Sequence, residues 1–458
     1  MTQRGRIAYA LNGGRCNSDA IDNSAGVNSS DVEVNIKIAL SNAIKSGKLK
    51  LEDRNDLLAQ MTDEVAELVL ENNYRQSLAI SLIERQKHAN REDLSRLMSA
   101  LEATGQLNRK IEFLPTESEL GERYANDRPL TRPEIGVLLS YSKLTLFDSL
   151  IESGLPDESH FEEKLLSYFP AQMRGQYSEA ISNHRLRREI IATLLANDVV
   201  NRAGPGFVQR LVDATGASTA SIVRSAVIVE EGFGLDNLWS EVDALDNKVS
   251  GEAQNDLYEM IRIIYTSATH IHLTAGIGQT ESIKDSIAAL RAAIEDLSEK
   301  STFNGHIESP AGTPDGLHER LSKLLSLIFA PEVMKIAKDA NVALAVAADS
   351  YGSATNIFQI EKLLLASNKL MPSDHYEALA LTRSQNQIAV ARRKIVTSAL
   401  QHFSGESDPV SAWYAKDRVR VNNLLAQLTN ISESGEFNLS RLTVAAGLLT
   451  DIVDFYNM

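Results

Sequence analysis

Along this chain the apolar positions recur at intervals of three and four, and strand-like alternation is almost absent. Val32, Ile36, Ala39, Leu40, Ala43 and Ile44 line one side of a helix that Gly47 ends. Thr62-Asp63-Glu64 opens a second helix, with Val65, Leu68, Val69, Asn72, Gln76 and Ile80 down one side, and a third runs from Asn90 to Gly105. Thr131-Arg132-Pro133-Glu134 has capping-box spacing with a proline in the first turn, and it starts an apolar-periodic segment from Ile135 to Ile151 that stops at Gly154. The same signals predict helices over 157–168, 181–202, 207–215, 218–231, 250–270 and 281–299, then over 317–338, 353–370, 384–403, 409–431 and 438–456. Ile7 to Leu11 is too short for periodicity to separate helix from strand. Residues 106–130 read as turns, because Pro115, Gly121, Asn126 and Pro129 interrupt them. The expectation is a mostly α, multi-helix protein in two lobes, joined through the Gly- and Pro-rich interval 301–316.

With 458 residues, 43% of them hydrophobic and 23% charged, the chain has room for a large core and two or three domains. A formal charge of -15 repels polyanions, so nucleic acid is not expected as a partner. Cys16 is the only cysteine and cannot form an intrachain disulfide, which fits a reducing compartment. No apolar run approaches the roughly 20 residues that span a bilayer, and the N-terminus lacks an apolar signal core. These features lead us to expect a cytoplasmic protein with no membrane partner.

Chemistry-bearing patterns are sparse. The nine histidines include no HExxH pair, and His270 and His272, two apart on a helix, point in different directions, so no metal site is expected. Cys16 has no CxxC partner and reads as a quiet thiol. GxxxxGK[ST], a GxGxxG after a strand and GxSxG are all missing, and Gly276-Ile277-Gly278 reads as a turn. The cluster Arg185 to Arg188 is suited to an anion or a subunit, yet its alternation with Leu186, Ile190 and Ile191 favours a solvated or salt-bridged face. There remains Asp19 to Glu33, where a Gly/Ala/Ser-rich turn runs into the first turn of an amphipathic helix. In one reading Ser30 is the N-cap of that helix, in a capping box with Glu33, worth about 1 kcal/mol. In the other, the Ser30 hydroxyl and nearby amides at the positive end of the helix dipole receive a carboxylate, worth roughly 1.5 to 3 kcal/mol. Spacing leaves both open.

The segment from Gly13 to Asn35, GGRCNSDAIDNSAGVNSSDVEVN, resembles the GGR-N-DAIDNSAGV--SD-EVN segment of the very large bacterial NAD-specific glutamate dehydrogenases. Matches to that family continue in order at Met61-Thr-Asp-Glu-Val, Arg132-Pro-Glu-Ile-Gly-Val-Leu-Leu, His184-Arg-Leu-Arg-Arg-Glu-Ile-Ile-Ala-Thr, Leu195-Ala-Asn-Asp-Val-Val-Asn-Arg and Leu238-Trp-Ser-Glu-Val-Asp-Ala-Leu-Asp-Asn-Lys-Val. They cover residues 4 to roughly 300, and the similarity is looser over 301–458. The first segment is also similar to the D-x-x-x-N-A-G-G-V-x-x-S-x-x-E motif of the smaller glutamate dehydrogenases: Asp19, Asn23, Gly26, Val27, Ser30 and Glu33 agree, while Ser24 and Ala25 depart from it.

The resemblance implies that Ser30 hydrogen-bonds the distal carboxylate of glutamate, that Val27 packs on its methylenes, and that Asn23 lies near the nicotinamide. It also implies that the catalytic lysines, the catalytic aspartate and the Gly-rich NAD loop lie upstream, so this chain holds no catalytic residue and no complete Rossmann domain. The domains expected are a remnant of the catalytic domain at 1–30, a first helical lobe at 31–300, the linker 301–316 and a second lobe at 317–458. The expected function is that of a C-terminal segment of an NAD-dependent enzyme converting L-glutamate, NAD and water to 2-oxoglutarate, ammonia and NADH. By itself the segment is expected to be inactive and to bind no cofactor, its partners being the upstream catalytic domain and further copies in a homo-oligomer. The alternatives are a helical assembly or allosteric module of that enzyme, or a free-standing helical scaffold. In this chain alone the capping role of Ser30 is expected to be visible, and roughly the first 15 residues loosely held, because termini fray unless packed.

Overall fold

A computed structural model describes residues 1–299 and 312–456, and among them every regular element is a helix. The chain divides into two compact units, residues 1–210 with 217–224 and residues 211–216 with 225–458. The division passes through the helices Phe207–Thr215 and Thr219–Phe233. Most of the predicted join at 301–316 lies outside the described residues. Among the described residues no helix is long and apolar enough to cross a membrane.

The first unit is built around the helix Arg132–Ile151. Over its first two turns the buried residues, among them Ile135, Val137, Leu138 and Leu139, lie on all sides of it, and Ser142, Leu146 and Leu150 continue down one side. A segment buried all round must be surrounded, and this helix packs on the helices Gln3–Leu11, Thr62–Gln86 and Arg187–Ala203. It starts in the predicted capping box: the Glu134 carboxylate accepts the Thr131 amide at 2.7 Å. Glu134 is only 1% exposed, and the Arg123 guanidinium neutralises it through two parallel bonds of 2.6 and 2.9 Å.

Several local expectations change. Residues 106–130 hold two short helices, Arg109–Glu112 and Glu117–Ala125, in place of turns. The second has its own capping box, with the Thr116 hydroxyl accepting the Glu119 amide and the Glu119 carboxylate accepting the Thr116 amide. That start tolerates Gly121 in the interior, which costs about 1 kcal/mol against alanine. The predicted helix 181–202 is split into Ser178–Ser182 and Arg187–Ala203, because the ring of His184 captures the Leu186 amide at 3.1 Å. The ambiguous Ile7 to Leu11 belongs to the helix Gln3–Leu11. This N-terminal helix is packed where a loose end was expected: Ile7 is buried, Gln3 donates to the Pro133 carbonyl at 3.2 Å and Arg128 donates to the Leu11 carbonyl at 3.0 Å.

In the second unit, the predicted helix 317–338 is broken into Asp315–Ser326 and Ala330–Ala340, next to Pro331, which has no amide hydrogen to continue a helix. The helix Leu344–Ile357 begins before the predicted 353, and Gln359, in the left-handed region at φ 51°, separates it from Ile360–Ser367. His375–Phe403 starts before the predicted 384, where the Asp374 side chain accepts the Glu377 amide at 2.9 Å. The predicted 409–431 breaks at Asp417, which caps Arg418–Glu433.

The charged centre of this unit is Glu332, 1% exposed. One carboxylate oxygen accepts Arg392 and the Tyr351 hydroxyl, each at 2.7 Å, while the other faces Arg393 at 3.4 Å. Arg393 also donates to the Thr274 carbonyl at 3.2 Å, and Arg392 lies 4.1 Å from the centre of the Tyr351 ring. Three helices therefore meet at one carboxylate, and Arg393 ties in a fourth, Gly251–Ala275. Glu332→Ala would leave two guanidinium groups without their counter-charge, so we expect a loss of roughly 3 to 5 kcal/mol in unfolding free energy. Fluorescence of Trp239 and Trp413, both in this unit, follows it in denaturant. A change under about 1 kcal/mol would remove the cluster from its central place.

Candidate functional site

Asp19–Asp22 forms a single helical turn, and the helix Ser24–Lys45 follows it with Asn23 between them. The turn already aligns the chain, with the Asn23 amide donating to the Asp19 carbonyl at 2.8 Å and the Gly26 amide to the Asn23 carbonyl at 3.2 Å. The helix therefore starts before the predicted cap. Ser30 lies inside it and the capping box with Glu33 does not form; Glu33 instead pairs with Lys37, one turn on, at 2.5 Å.

Ser30 is left facing solvent. Steps of four, three and four place Asn23, Val27, Ser30 and Val34 along one side of the helix. Asn23 and Ser30 are exposed, and Val27 and Val34 are 74% and 49% exposed. The opposite side, with Val32, Ile36, Ala39, Leu40 and Ala43, is buried. The three predicted site residues thus share one outward stripe. Chemically it offers a carboxamide, a hydroxyl able to donate to an anion, and apolar side chains on either side of that hydroxyl.

Polar contacts from distant segments hold this helix. Asn73, from Thr62–Gln86, donates to the Ile21 carbonyl at 2.9 Å and to the Ser24 hydroxyl at 2.8 Å, and Asn72 donates to the Asn28 side chain at 3.1 Å. Tyr168 donates to Asp31 and accepts from Asn35, both at 2.9 Å. Burial, reinforced by the Asp31 charge, pushes the Tyr168 hydroxyl above its ordinary pKa. His184 is buried, with Nδ1 accepting the Leu186 amide and Nε2 placed 3.1 Å from the Asn35 carbonyl. This pairing assigns the neutral tautomer with hydrogen on Nε2. The supporting role of Asn72, Asn73 and His184 was not visible in the sequence, where the one signal was two adjacent asparagines in an otherwise apolar-periodic helix.

The other candidates have structural roles. Arg188 donates to the Ile151 and Ser153 carbonyls at 3.0 and 2.9 Å and faces Asp157 at 3.3 Å, as a salt-bridged surface predicts. His272 is buried, its Nδ1 3.1 Å from the Ser225 hydroxyl, and Gly276 and Gly278, at φ 69° and 67°, turn the chain after Gly251–Ala275. Among the described residues no group of three or more His, Cys, Asp or Glu side chains is arranged to hold a metal.

Comparison with known families separates the chain in two. A family model described as bacterial NAD-glutamate dehydrogenase, catalytic domain, matches residues 1–83, and one described as glutamate dehydrogenase, C-terminal, matches residues 127–451. Among relatives, the NAD-specific glutamate dehydrogenase of Pseudomonas aeruginosa is 32% identical over 99% of this chain and 29% of its own length. That of Halomonas elongata is 46% identical over 57% of this chain and 16% of its own, and that of Mycobacterium tuberculosis 30% identical over 97% and 28%. The chain spans under a third of the length of these relatives.

The support under the stripe carries a pH dependence. Burial lowers the His184 pKa, because a charged ring is poorly solvated there and Nδ1 would lose its accepted bond. The folded value lies below the unfolded value of about 6.5, so this stabilisation is complete above about pH 6.5 and lost as pH falls through the folded value. We expect amide exchange at Val32 to Ala39 to quicken on acidification below about pH 6 relative to neutral pH, after correction for the intrinsic rate. The non-titrating His184→Gln should flatten this dependence, and an unchanged slope in that variant would assign it elsewhere.

Proposed function

The chain belongs to the bacterial NAD-specific glutamate dehydrogenase family, and from that premise we propose that the stripe Asn23, Val27, Ser30 and Val34 is one wall of a glutamate-binding cleft. The observation that carries the reading is the outward placement of these side chains on a helix whose other side is buried and bonded at several points. In this proposal Ser30 donates its hydroxyl to the distal carboxylate of glutamate and Val27 covers the methylenes. Asn23 offers a carboxamide toward the nicotinamide, which can both donate to and accept from the nicotinamide's own carboxamide.

The whole enzyme, in this reading, oxidises L-glutamate with NAD and water to 2-oxoglutarate, ammonia and NADH, and NAD supplies the hydride acceptor. The catalytic lysines, the aspartate and the residues holding the NAD phosphates come from a catalytic domain of the same polypeptide. This chain binds and orients substrate and does not itself move a proton or a hydride. A hydroxyl-to-carboxylate bond of roughly 1.5 to 3 kcal/mol corresponds to about 10- to 100-fold in affinity.

In the complete polypeptide, Ser30→Ala should raise KM for glutamate at least about tenfold and leave KM for NAD within about twofold. Because Ser30 is exposed and caps no helix, its replacement should leave the melting temperature within a degree or two (about 0.5 kcal/mol), so that a kinetic effect is not a folding effect. An unchanged KM for glutamate would remove Ser30 from the cleft. The 458-residue chain alone, given glutamate and NAD at stoichiometric amounts, should yield no NADH absorbance; steady turnover would show that the catalytic residues lie within it.

A further inference from the structure

We infer that Arg132 is a positioning residue for glutamate binding, which sets from within the C-terminal segment the turn leading into the substrate wall; the inference rests on the reading of Ser30 and Val27 given above. Arg132 stands at the first position of the central helix of its unit and is 6% exposed. Its guanidinium is divided between two segments. Nη1 donates to the Ser81 hydroxyl at 3.0 Å and to Glu84 at 2.9 Å, and Nη2 to the Ser77 carbonyl at 3.4 Å, all on the helix Thr62–Gln86. Nε donates to the Asn17 side-chain oxygen at 2.9 Å.

Asn17 passes this contact on. Its side-chain nitrogen donates to Asp22 at 2.9 Å, and its backbone amide reaches the other Asp22 oxygen at 3.3 Å. A cation on the oxygen side and an anion on the nitrogen side fix which way the carboxamide points. Arg6 closes the turn from outside, with 2.5 Å to Asp22 and 2.7 Å to Asp19. Asp22 immediately precedes Asn23, the first residue of the stripe.

A second contact brings the same two segments together. At Gly136, one turn beyond Arg132, an added Cβ would lie 2.7 Å from the Ser18 hydroxyl and 3.3 Å from the Ile21 side chain, so any larger residue would make Ser18 turn away and Ile21 give. The motif Arg132-Pro-Glu-Ile-Gly136 thus touches residues 17 to 21 at both ends, by a hydrogen bond and by a missing side chain. A binding group displaced by about 1 Å loses much of its effect, so freedom at residues 17–22 should appear as weaker glutamate binding.

The test uses the complete polypeptide. Arg132→Lys keeps the charge but replaces a rigid fork by a single point donor, which cannot hold Asn17 and the Thr62–Gln86 helix together. KM for glutamate should rise about fivefold to tenfold, with kcat and KM for NAD within about twofold, and amide exchange at residues 18–24 should quicken. Asn17→Asp, which sets a second carboxylate against Asp22, should act in the same direction. Adding Asp22→Asn, which restores one acid and one amide in the pair, should recover much of KM. A lowered melting temperature with unchanged KM for glutamate would make Arg132 a purely structural group and overturn the inference. If Arg132→Lys does not fold, the Asn17 and Asp22 variants decide by the same readouts. Ser30→Ala measured alongside separates the two claims: its failure to raise KM removes the wall and this inference with it, whereas its success without an Arg132 effect removes this inference alone.

Discussion

A helix start buried on every side has no stable place in water, and the arrangement of the first unit follows from enclosing one, the first two turns of Arg132–Ile151. Its start is the difficult part, because Arg132 and Glu134 are buried there two residues apart. Each needs a partner of its own. Glu134 takes Arg123 and the Thr131 amide, which draws the segment 117–131 against the helix start. Arg132 takes Asn17, Ser77, Ser81 and Glu84, which draws in the N-terminal turn and the helix Thr62–Gln86. Leaving either charge unpaired would cost several kcal/mol, so those neighbours are obligatory.

The second unit solves a similar problem in a similar way. Ala330-Pro331-Glu332, like Arg132-Pro133-Glu134, opens a helix with proline followed by a glutamate that is almost fully buried. Proline suits the first turn, where the amide hydrogens lack intrahelical partners, and a carboxylate there faces the positive end of the helix dipole. In each case an arginine from another helix completes the neutralisation, Arg123 in one unit and Arg392 in the other. The pattern Pro-Glu at a helix start is visible locally; the arginine that answers it is not.

The candidate wall has the opposite character. Asn23, Val27, Ser30 and Val34 contribute little to burial, and the helix beneath them is held by its other side and by Asn73, Tyr168 and His184. In the proposed reading, stability and recognition sit on different sides of one helix. Such a division leaves the exposed side free to carry a hydroxyl and valines, while contacts beneath, such as the neutral His184 ring on the Asn35 carbonyl, hold the helix.

By itself the sequence determined the helical class, the periodic segments, the capping box at Thr131 and Glu134, the turn at Gly276 to Gly278 and the family to which the Asp19 to Glu33 motif points. Those features are local, and periodicity records directly which side of a helix is apolar. The start of the motif helix was beyond it, because Ser30 and Asn23 compete for the cap and the earlier start prevails with Asn73 holding Ile21 and Ser24 from 49 to 52 residues away. Thr116 and Glu119 were hidden for a different reason, since nearby prolines and Gly121 masked a short helix that its cap sustains. Only the tertiary structure decided that Arg132 reaches Asn17 across 115 residues, and that Gly136 makes room for Ser18. A buried polar group must be satisfied, but which residue satisfies it depends on how distant segments pack, and spacing along the chain carries no record of that.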